Sequence, residues 1–218
     1  MLRLRLTMRK STLAITFIVL LLAARTSYAD PISVGDIIHL TGSSGTLGGG
    51  AFWIDNAANG PGVDFFTFCV QMTQHVDYTN PFRVGSITGY TDDAAGPDYV
   101  APETAWIFSN FRSGALTTYS SDEIQASIWI LEDEWTTNIG QSANLILLAR
   151  DRVAAGWVND GVGVLNLFYT DGRQAQDQLT QNAPTQGLPT PTPEPATLGL
   201  MGIGALVLAR KRRRALRA

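Results

Sequence analysis

The chain has one cysteine, two histidines and, between residues 11 and 210, no lysine. The single cysteine, Cys69, rules out an intramolecular disulfide framework. With only His39 and His75 as candidate imidazole bases, a cysteine-nucleophile hydrolase has little to build on. There is no Asp-x-Asp-x-Asp-Gly loop, so the acidic residues supply no calcium-loop signature and no metal is expected. The two apolar runs, Ser11 to Ala24 and Ala196 to Ala209, are each 14 residues long, below the roughly 20 of an ordinary spanning helix. Positive charge is scarce in the middle of the chain. Between Asp30 and Pro193 only Arg83, Arg112, Arg150, Arg152 and Arg173 face 18 acidic residues, five against eighteen for a net of −13. The whole-chain value of −3 hides that imbalance. Such a surface repels nucleic acid and anionic membrane, so no nucleic-acid partner is expected.

The basic residues that are missing from the middle lie at the ends. Arg9 and Lys10 precede the first apolar run, and Ser27-Tyr28-Ala29 offers a small-residue cleavage site. Residues 1–29 are therefore expected to be a secretory signal peptide; the basic-apolar-cleavable order runs better from Met8 than from Met1. At the other end Pro193-Glu194-Pro195 precedes the second apolar run, and Arg210-Lys211-Arg212-Arg213-Arg214 follows it. Gly199, Gly202 and Gly204 would weaken that run as a water-soluble helix, whereas flanking basic side chains can snorkel and extend a short span. Basic residues beside a span favour the cytoplasmic side and leave the preceding domain outside. Residues 194–218 resemble the PEP-CTERM sorting signal of Gram-negative surface proteins, with a single transmembrane helix at 196–209. The resemblance implies export through the secretion machinery and anchoring in the inner membrane by that helix. Processing by an exosortase and release to the cell surface or extracellular matrix follow from it.

Between the two signals, residues 30–182 are expected to form one extracellular domain, and 183–193, rich in Pro and Thr, an extended spacer. Strands are predicted over Val34–Thr41, Gly50–Asp55, Val63–Val70, Val84–Tyr90 and Val162–Thr170, where β-branched and aromatic residues are bounded by Gly, Asn and Asp. Three helices are predicted between about 101 and 157: one opened by Pro102, one by a Ser120/Glu123 capping box, and one capped by Ser142 and closed by Gly156. Glu132-Asp133-Glu134 should be a solvated helix end. Strands, then helices, then a final strand give an α+β fold, a β-sandwich or barrel with an inserted helical segment.

Cys69 lies in the apolar stretch Phe65-Phe66-Thr67-Phe68-Cys69-Val70, where a free cysteine is often a small buried residue. Phe68-Cys69-Val70 followed by Ile124-Gln125-Ala126-Ser127-Ile128-Trp129 resembles the thioester domains of bacterial surface adhesins. Those carry an aromatic-Cys-apolar motif, a Thr-Gln-x-x-apolar-Trp motif and a terminal apolar-Gln-x-x-apolar motif. Ile124 stands where Thr is usual, and the third motif is represented by Ala175-Gln176-Asp177-Gln178-Leu179. The resemblance implies a barrel or sandwich with a helical insertion and an internal thioester between Cys69 and Gln176, with Gln178 a second choice. It makes Gln125 the supporting amide and Trp129 part of the site lining, with Phe66 and Phe68 as further water shields. It implies an adhesin-like protein, not an enzyme and without cofactor, that attaches covalently to an amine-bearing surface or glycan partner. A lysine-free domain would then be unable to consume its own electrophile. The competing reading is a passive extracellular or biofilm matrix protein in which Cys69 only fills space.

Overall fold

The computed structural model describes residues 30–181 apart from 63, 94, 95 and 160. They belong to the first of two units into which the chain divides, Met1–Ala183 and Pro184–Ala218. The predicted signal peptide, spacer, Pro193-Glu194-Pro195 motif and span at 196–209 lie outside the described residues. Among the described residues no helix is long and apolar enough to cross a membrane.

Six strands, β1 (Ile37–Ser43), β2 (Phe52–Asn56), β3 (Phe65–Thr67), β4 (Phe82–Thr88), β7 (Val162–Tyr169) and β8 (Gln178–Gln181), form one antiparallel sheet in the order β3-β2-β1-β4-β7-β8. A separate hairpin joins β5 (Tyr90–Asp93) to β6 (Gly96–Tyr99). The outer strands of the sheet do not stay open. Beyond β3 the chain runs on beside β8: Leu179 N donates to Phe68 O at 3.0 Å, Val70 N to Asp177 O at 3.1 Å, and Cys69 bridges to Gln178. The Thr67 hydroxyl adds a bond to Leu179 O at 2.6 Å. The sheet thus closes into a small barrel, which removes the exposed edges that an open sheet would present.

Three helices, α1 (Pro102–Arg112), α2 (Ser121–Leu131) and α3 (Ser142–Ala154), sit between β6 and β7 as the expected insertion. Pro102 opens α1, where a missing N–H costs nothing. The α2 capping box forms: Glu123 N donates to Ser120 Oγ at 3.2 Å and Ser120 N to Glu123 Oε2 at 2.7 Å. The other Glu123 oxygen accepts from Gln141 N at 2.7 Å and so ties α2 to the start of α3. Ser142 is the first residue of α3 and not its cap; its hydroxyl accepts from Ile139 N at 2.9 Å in the loop before the helix.

Two apolar cores follow from strand alternation. Ile38, Leu40, Phe52, Ile54, Phe65, Cys69, Phe82, Val84, Leu165 and Leu167 fill the barrel together with Trp129. Phe68, Val70, Val162, Val164 and Leu179 point the other way and pack under Trp106, Ile107, Phe108, Ile124, Ile128 and Leu145 of the helices. Strands at the seam are buried on both sides, which explains why Phe65–Val70 is apolar at every position but Thr67. Phe66 is the exception: it faces solvent edge-on to Trp53 at 6.3 Å and shields nothing inside.

The seam also binds the first described residue. Asp30 carries a carboxylate with no exposed side-chain surface, paired with Arg112 at 2.7 Å. It further accepts from Thr180 Oγ1 at 2.9 Å and Gln181 N at 2.7 Å. Arg112 in turn reaches Phe66 O at 2.8 Å. Removing one member of a buried pair strands the other charge. Arg112→Met is therefore expected to lower stability by about 3 kcal/mol, read from the urea midpoint at neutral pH.

The acidic triplet after α2 is not solvated throughout. Glu132 is buried and accepts from Ala101 N at 3.1 Å at the start of α1. Burial, helped by the Asp98 and Asp133 carboxylates and opposed by the Ala101 N–H, pushes its carboxyl up from 4.5 to about 7. The folded value exceeds the unfolded one, so its contribution is full below about pH 4.5 and is lost as pH rises through 7. Glu132→Gln keeps the acceptor without the charge. Its urea midpoint should match wild type at pH 4 and exceed it at pH 8, by up to about 3 kcal/mol.

Candidate functional site

Cys69 and Gln178 face each other across the seam. The bonds Val70 N to Asp177 O and Leu179 N to Phe68 O flank them, which makes them a non-hydrogen-bonded antiparallel pair. Pairs of that kind bring their side chains closest, with Cα atoms about 4.5 Å apart. Gln178 Nε2 lies 3.7 Å from Cys69 Sγ and 3.5 Å from Gln176 O, and both residues have no exposed surface. Gln178 Oε1 is buried without a hydrogen-bond partner. Burial drives the Cys69 thiol far above its ordinary value, against a small opposing effect of the Gln178 amide. The sulfur is therefore a neutral thiol, not the thiolate of a cysteine hydrolase. His75 is exposed on the loop after β3, and His39 stands on β1 opposite Asp55.

A non-hydrogen-bonded pair turns its own N–H and C=O away from the partner strand. For Cys69 those groups point to where β2 has already ended, at Phe52 opposite Thr67. Gln125 fills the gap from α2. Its Oε1 accepts from Cys69 N and from Gly50 N, each at 3.1 Å, and its Nε2 donates to Cys69 O at 2.9 Å. One carboxamide thus replaces a missing stretch of strand and fixes the cysteine backbone. The Gly-rich loop before β2 lies over it. A Cβ on Gly49 would stand 2.7 Å from Trp129 and 2.8 Å from Gln125, so only glycine allows that approach. Asp122 holds the loop down through Thr46 N and Oγ1, both at 2.7 Å.

Of the residues expected at the site, Cys69, Gln125 and Trp129 come together in or against the barrel interior, with Trp129 packed on Trp135 at 5.6 Å. Phe68 turns instead to the helical core, edge-on to Phe111 at 4.8 Å. Gln176, the expected partner of Cys69, is one step displaced: its Nε2 donates to Gln71 O at 2.8 Å. Gln178, the second choice, occupies the place beside the sulfur. Gln176 precedes β8, and the register against β7 shifts by one residue between the Phe168–Gln174 and Leu165–Gln178 pairings, so Gln178 and not Gln176 is set opposite the cysteine. Gln71 escaped sequence reasoning, since nothing in Gln71-Met72-Thr73 signals a buried amide. Among the described residues no cluster of three His, Cys, Asp or Glu is placed to hold a metal ion.

Residues 191–214 match the PEP-CTERM protein-sorting motif. No curated protein and no solved structure matches the chain. The motif marks an exported, exosortase-sorted surface protein whose C-terminal tail anchors it in the membrane before cleavage.

Replacing Gln125 by Met would leave Cys69 N, Cys69 O and Gly50 N buried without partners. At about 1 kcal/mol or more for each stranded group, Gln125→Met should lose roughly 3 kcal/mol in urea unfolding. Gln125→Leu, which cannot reach as far, should lose at least as much.

Proposed function

We propose that the barrel carries an internal thioester between Cys69 and Gln178 and serves as an adhesin-like module for covalent attachment at the cell surface. The observation that carries this reading is the sealed cross-strand pair, with Gln178 Nε2 at 3.7 Å from Cys69 Sγ and its carboxamide oxygen without a partner. A buried amide with an empty acceptor and only long donor contacts is a strained ground state, since an unmet buried group costs about 1–3 kcal/mol. Condensation relieves the donor side alone, since the carbonyl oxygen is carried into the thioester. The sulfur–carbon bond forms, the carbon–nitrogen bond of Gln178 breaks, and the thiol proton leaves with the nitrogen as ammonia. The product has no N–H donors left to satisfy.

Sulfur donates poorly into a carbonyl, so the thioester is an electrophile that an ordinary amide is not. Exclusion of water by Trp129, the Gly49 loop and the fully buried strands would let it persist. An amine on a partner surface attacks the acyl carbon, the carbon–sulfur bond breaks, and a proton returns to Cys69. The result is one stable amide per molecule, a single event without turnover, so the module is a tether and not an enzyme. The motif resemblance to thioester adhesin domains supports the same reading, with Gln178 in place of Gln176 as acyl donor. An amine-bearing or glycan partner on a neighbouring surface suits an exported chain. The alternative, a matrix protein with an inert cysteine, is favoured by the buried neutral thiol.

Intact mass of the purified full-length chain in detergent separates the two. Wild type should be one ammonia lighter than its sequence and should gain methylamine on treatment. Cys69→Ala and Gln178→Ala should show neither effect, while Gln176→Ala keeps the deficit. Loss of the deficit in Gln176→Ala with its retention in Gln178→Ala would move the acyl donor to Gln176. A wild-type mass equal to the sequence, with a thiol that alkylates on unfolding, would leave the passive reading.

A further inference from the structure

Trp53 and Phe66 stand side by side on the outer surface of the barrel, paired across β2 and β3, and are 38% and 41% exposed. Single exposed apolar residues are ordinary surface; geometry sets this pair apart. A Cβ placed on Gly42 would lie 3.1, 3.3 and 3.6 Å from Cε3, Cζ3 and Cδ2 of Trp53. Three ring atoms at such similar distances put that point over the plane of the indole and not beyond its edge. The indole therefore lies flat on the β1 backbone, where a glycine leaves it room. Phe66 belongs to β3, on the other side of β2, so its ring flanks the indole at 83° and does not cover it. One face of the indole rests on the protein. The other is open to water, with a phenyl wall at its side.

The surroundings of this platform are acidic. Asp55 follows Trp53 by two residues, shares its side of the sheet and is paired with His39 on β1. Asp64, just before β3, accepts from Asn56 N at 2.6 Å and from Asn59 Nδ2 at 3.0 Å. Neither carboxylate belongs to an ion pair among the described residues. Arg112, which reaches Phe66 O, is already matched by Asp30. With five arginines against 18 acidic residues in the domain, an anionic ligand is repelled and a cationic one attracted.

We propose that Trp53 and Phe66 form a platform for a glycan of amino sugars, whose rings stack on the indole and whose free ammonium groups meet the acidic surface around it. A hexopyranose with equatorial substituents presents only C–H groups on its ring faces. Such a face is flat, apolar and faintly positive, which suits the negative face of an indole. An ammonium group beside it adds cation–π and Coulomb attraction. A lysine side chain finds charge anywhere on this surface and has no flat face to lay on the ring, so the plane selects the sugar. The platform points away from Cys69, which lies in the barrel interior, and holds its ligand reversibly whether or not a thioester forms. Export, marked by the sorting motif, brings this face among extracellular polymers.

The test is calorimetric titration of the full-length chain in detergent, at low salt and a mildly acidic pH where sugar amines are charged. The probes are a β-1,4-linked glucosamine hexasaccharide, its fully N-acetylated counterpart and hexalysine. Wild type is expected to bind the glucosamine form about tenfold more tightly than the acetylated form, and Trp53→Ala to lose about tenfold for it. Trp53→Phe, which keeps a smaller ring, and Gly42→Ala, which lifts the indole off β1, should each lose a few-fold. No loss in either overturns the platform should Trp53→Ala fail to fold. Equal affinity for the two sugars, no binding of the glucosamine form, or binding that Trp53→Ala leaves unchanged overturns the proposal. So does an equal loss of hexalysine binding in Trp53→Ala, which would make the occupant a cationic peptide. Intact mass after each titration separates the platform from covalent capture. Reversible binding leaves the mass unchanged, and binding found only as a covalent gain overturns the platform while leaving the thioester reading in place.

Discussion

Closure of the barrel between Phe68–Val70 and Asp177–Leu179 is the contact on which the rest of this structure depends. Two main-chain bonds and the Thr67 hydroxyl join segments more than a hundred residues apart. Without them β3 and β8 would be open edges. Phe68, Val70 and Leu179 would lose the plane from which they pack under the helices. The same seam receives the buried Asp30 carboxylate through Thr180 and Gln181, so the first described residue and the last strand are secured by one set of bonds. The closure is also what makes Cys69 and Gln178 neighbours at all.

Closing the seam leaves a local deficit, and the helical insertion answers it. A cysteine in a non-hydrogen-bonded pair must find other partners for its own amide groups. In a continuous sheet the next strand provides them, but β2 stops short. Gln125 replaces that strand with a single side chain and takes Gly50 N as well. This is why the helices cannot be treated as a lid added to a finished barrel. Their capping box, the Asp122 anchor of the Gly-rich loop and the Gln125 plug all lie between Ser120 and Gln125, at the start of α2. The start of one helix thus sets the geometry of the cysteine.

Much of this architecture was legible in the chain because it is written in local chemistry. Alternating β-branched and aromatic residues marked β1, β2, β4 and β7 within a few residues of their ends, and Ser120 with Glu123 marked the start of α2. What escaped was set by long-range pairing. The hairpin β5–β6 is nearly devoid of apolar residues, so no periodicity announced it. The segment Gln174-Ala175-Gln176-Asp177-Gln178 carries no apolar alternation to announce a buried strand, yet Gln176, Asp177 and Gln178 are buried against the seam. Motif position favoured Gln176 as the partner of Cys69. The long-range pairing with Phe68–Val70 decides that Gln178 meets the sulfur. Glu132 escaped for a related reason, since its burial comes from α1 packing back over the end of α2.

Burial of Cys69 has a chemical consequence that runs in two directions. A site that keeps water from an acyl–sulfur bond also makes the sulfur a poor leaving group, because a thiolate there is as unwelcome as in any apolar core. Opening such a bond therefore requires that a proton reach sulfur as the carbon–sulfur bond breaks. Water outside the barrel cannot deliver it. The attacking amine can: its nitrogen would occupy the place of Gln178 Nε2, 3.7 Å from Sγ, and it sheds a proton on becoming an amide. On the thioester reading the barrel is then selective by proton supply as well as by access. A nucleophile that brings a proton to the sulfur opens the bond, and one that arrives already deprotonated leaves a buried anion behind. The absence of lysine between residues 11 and 210 keeps the chain's own side chains from meeting that condition, so the amine that does must come from outside the folded domain.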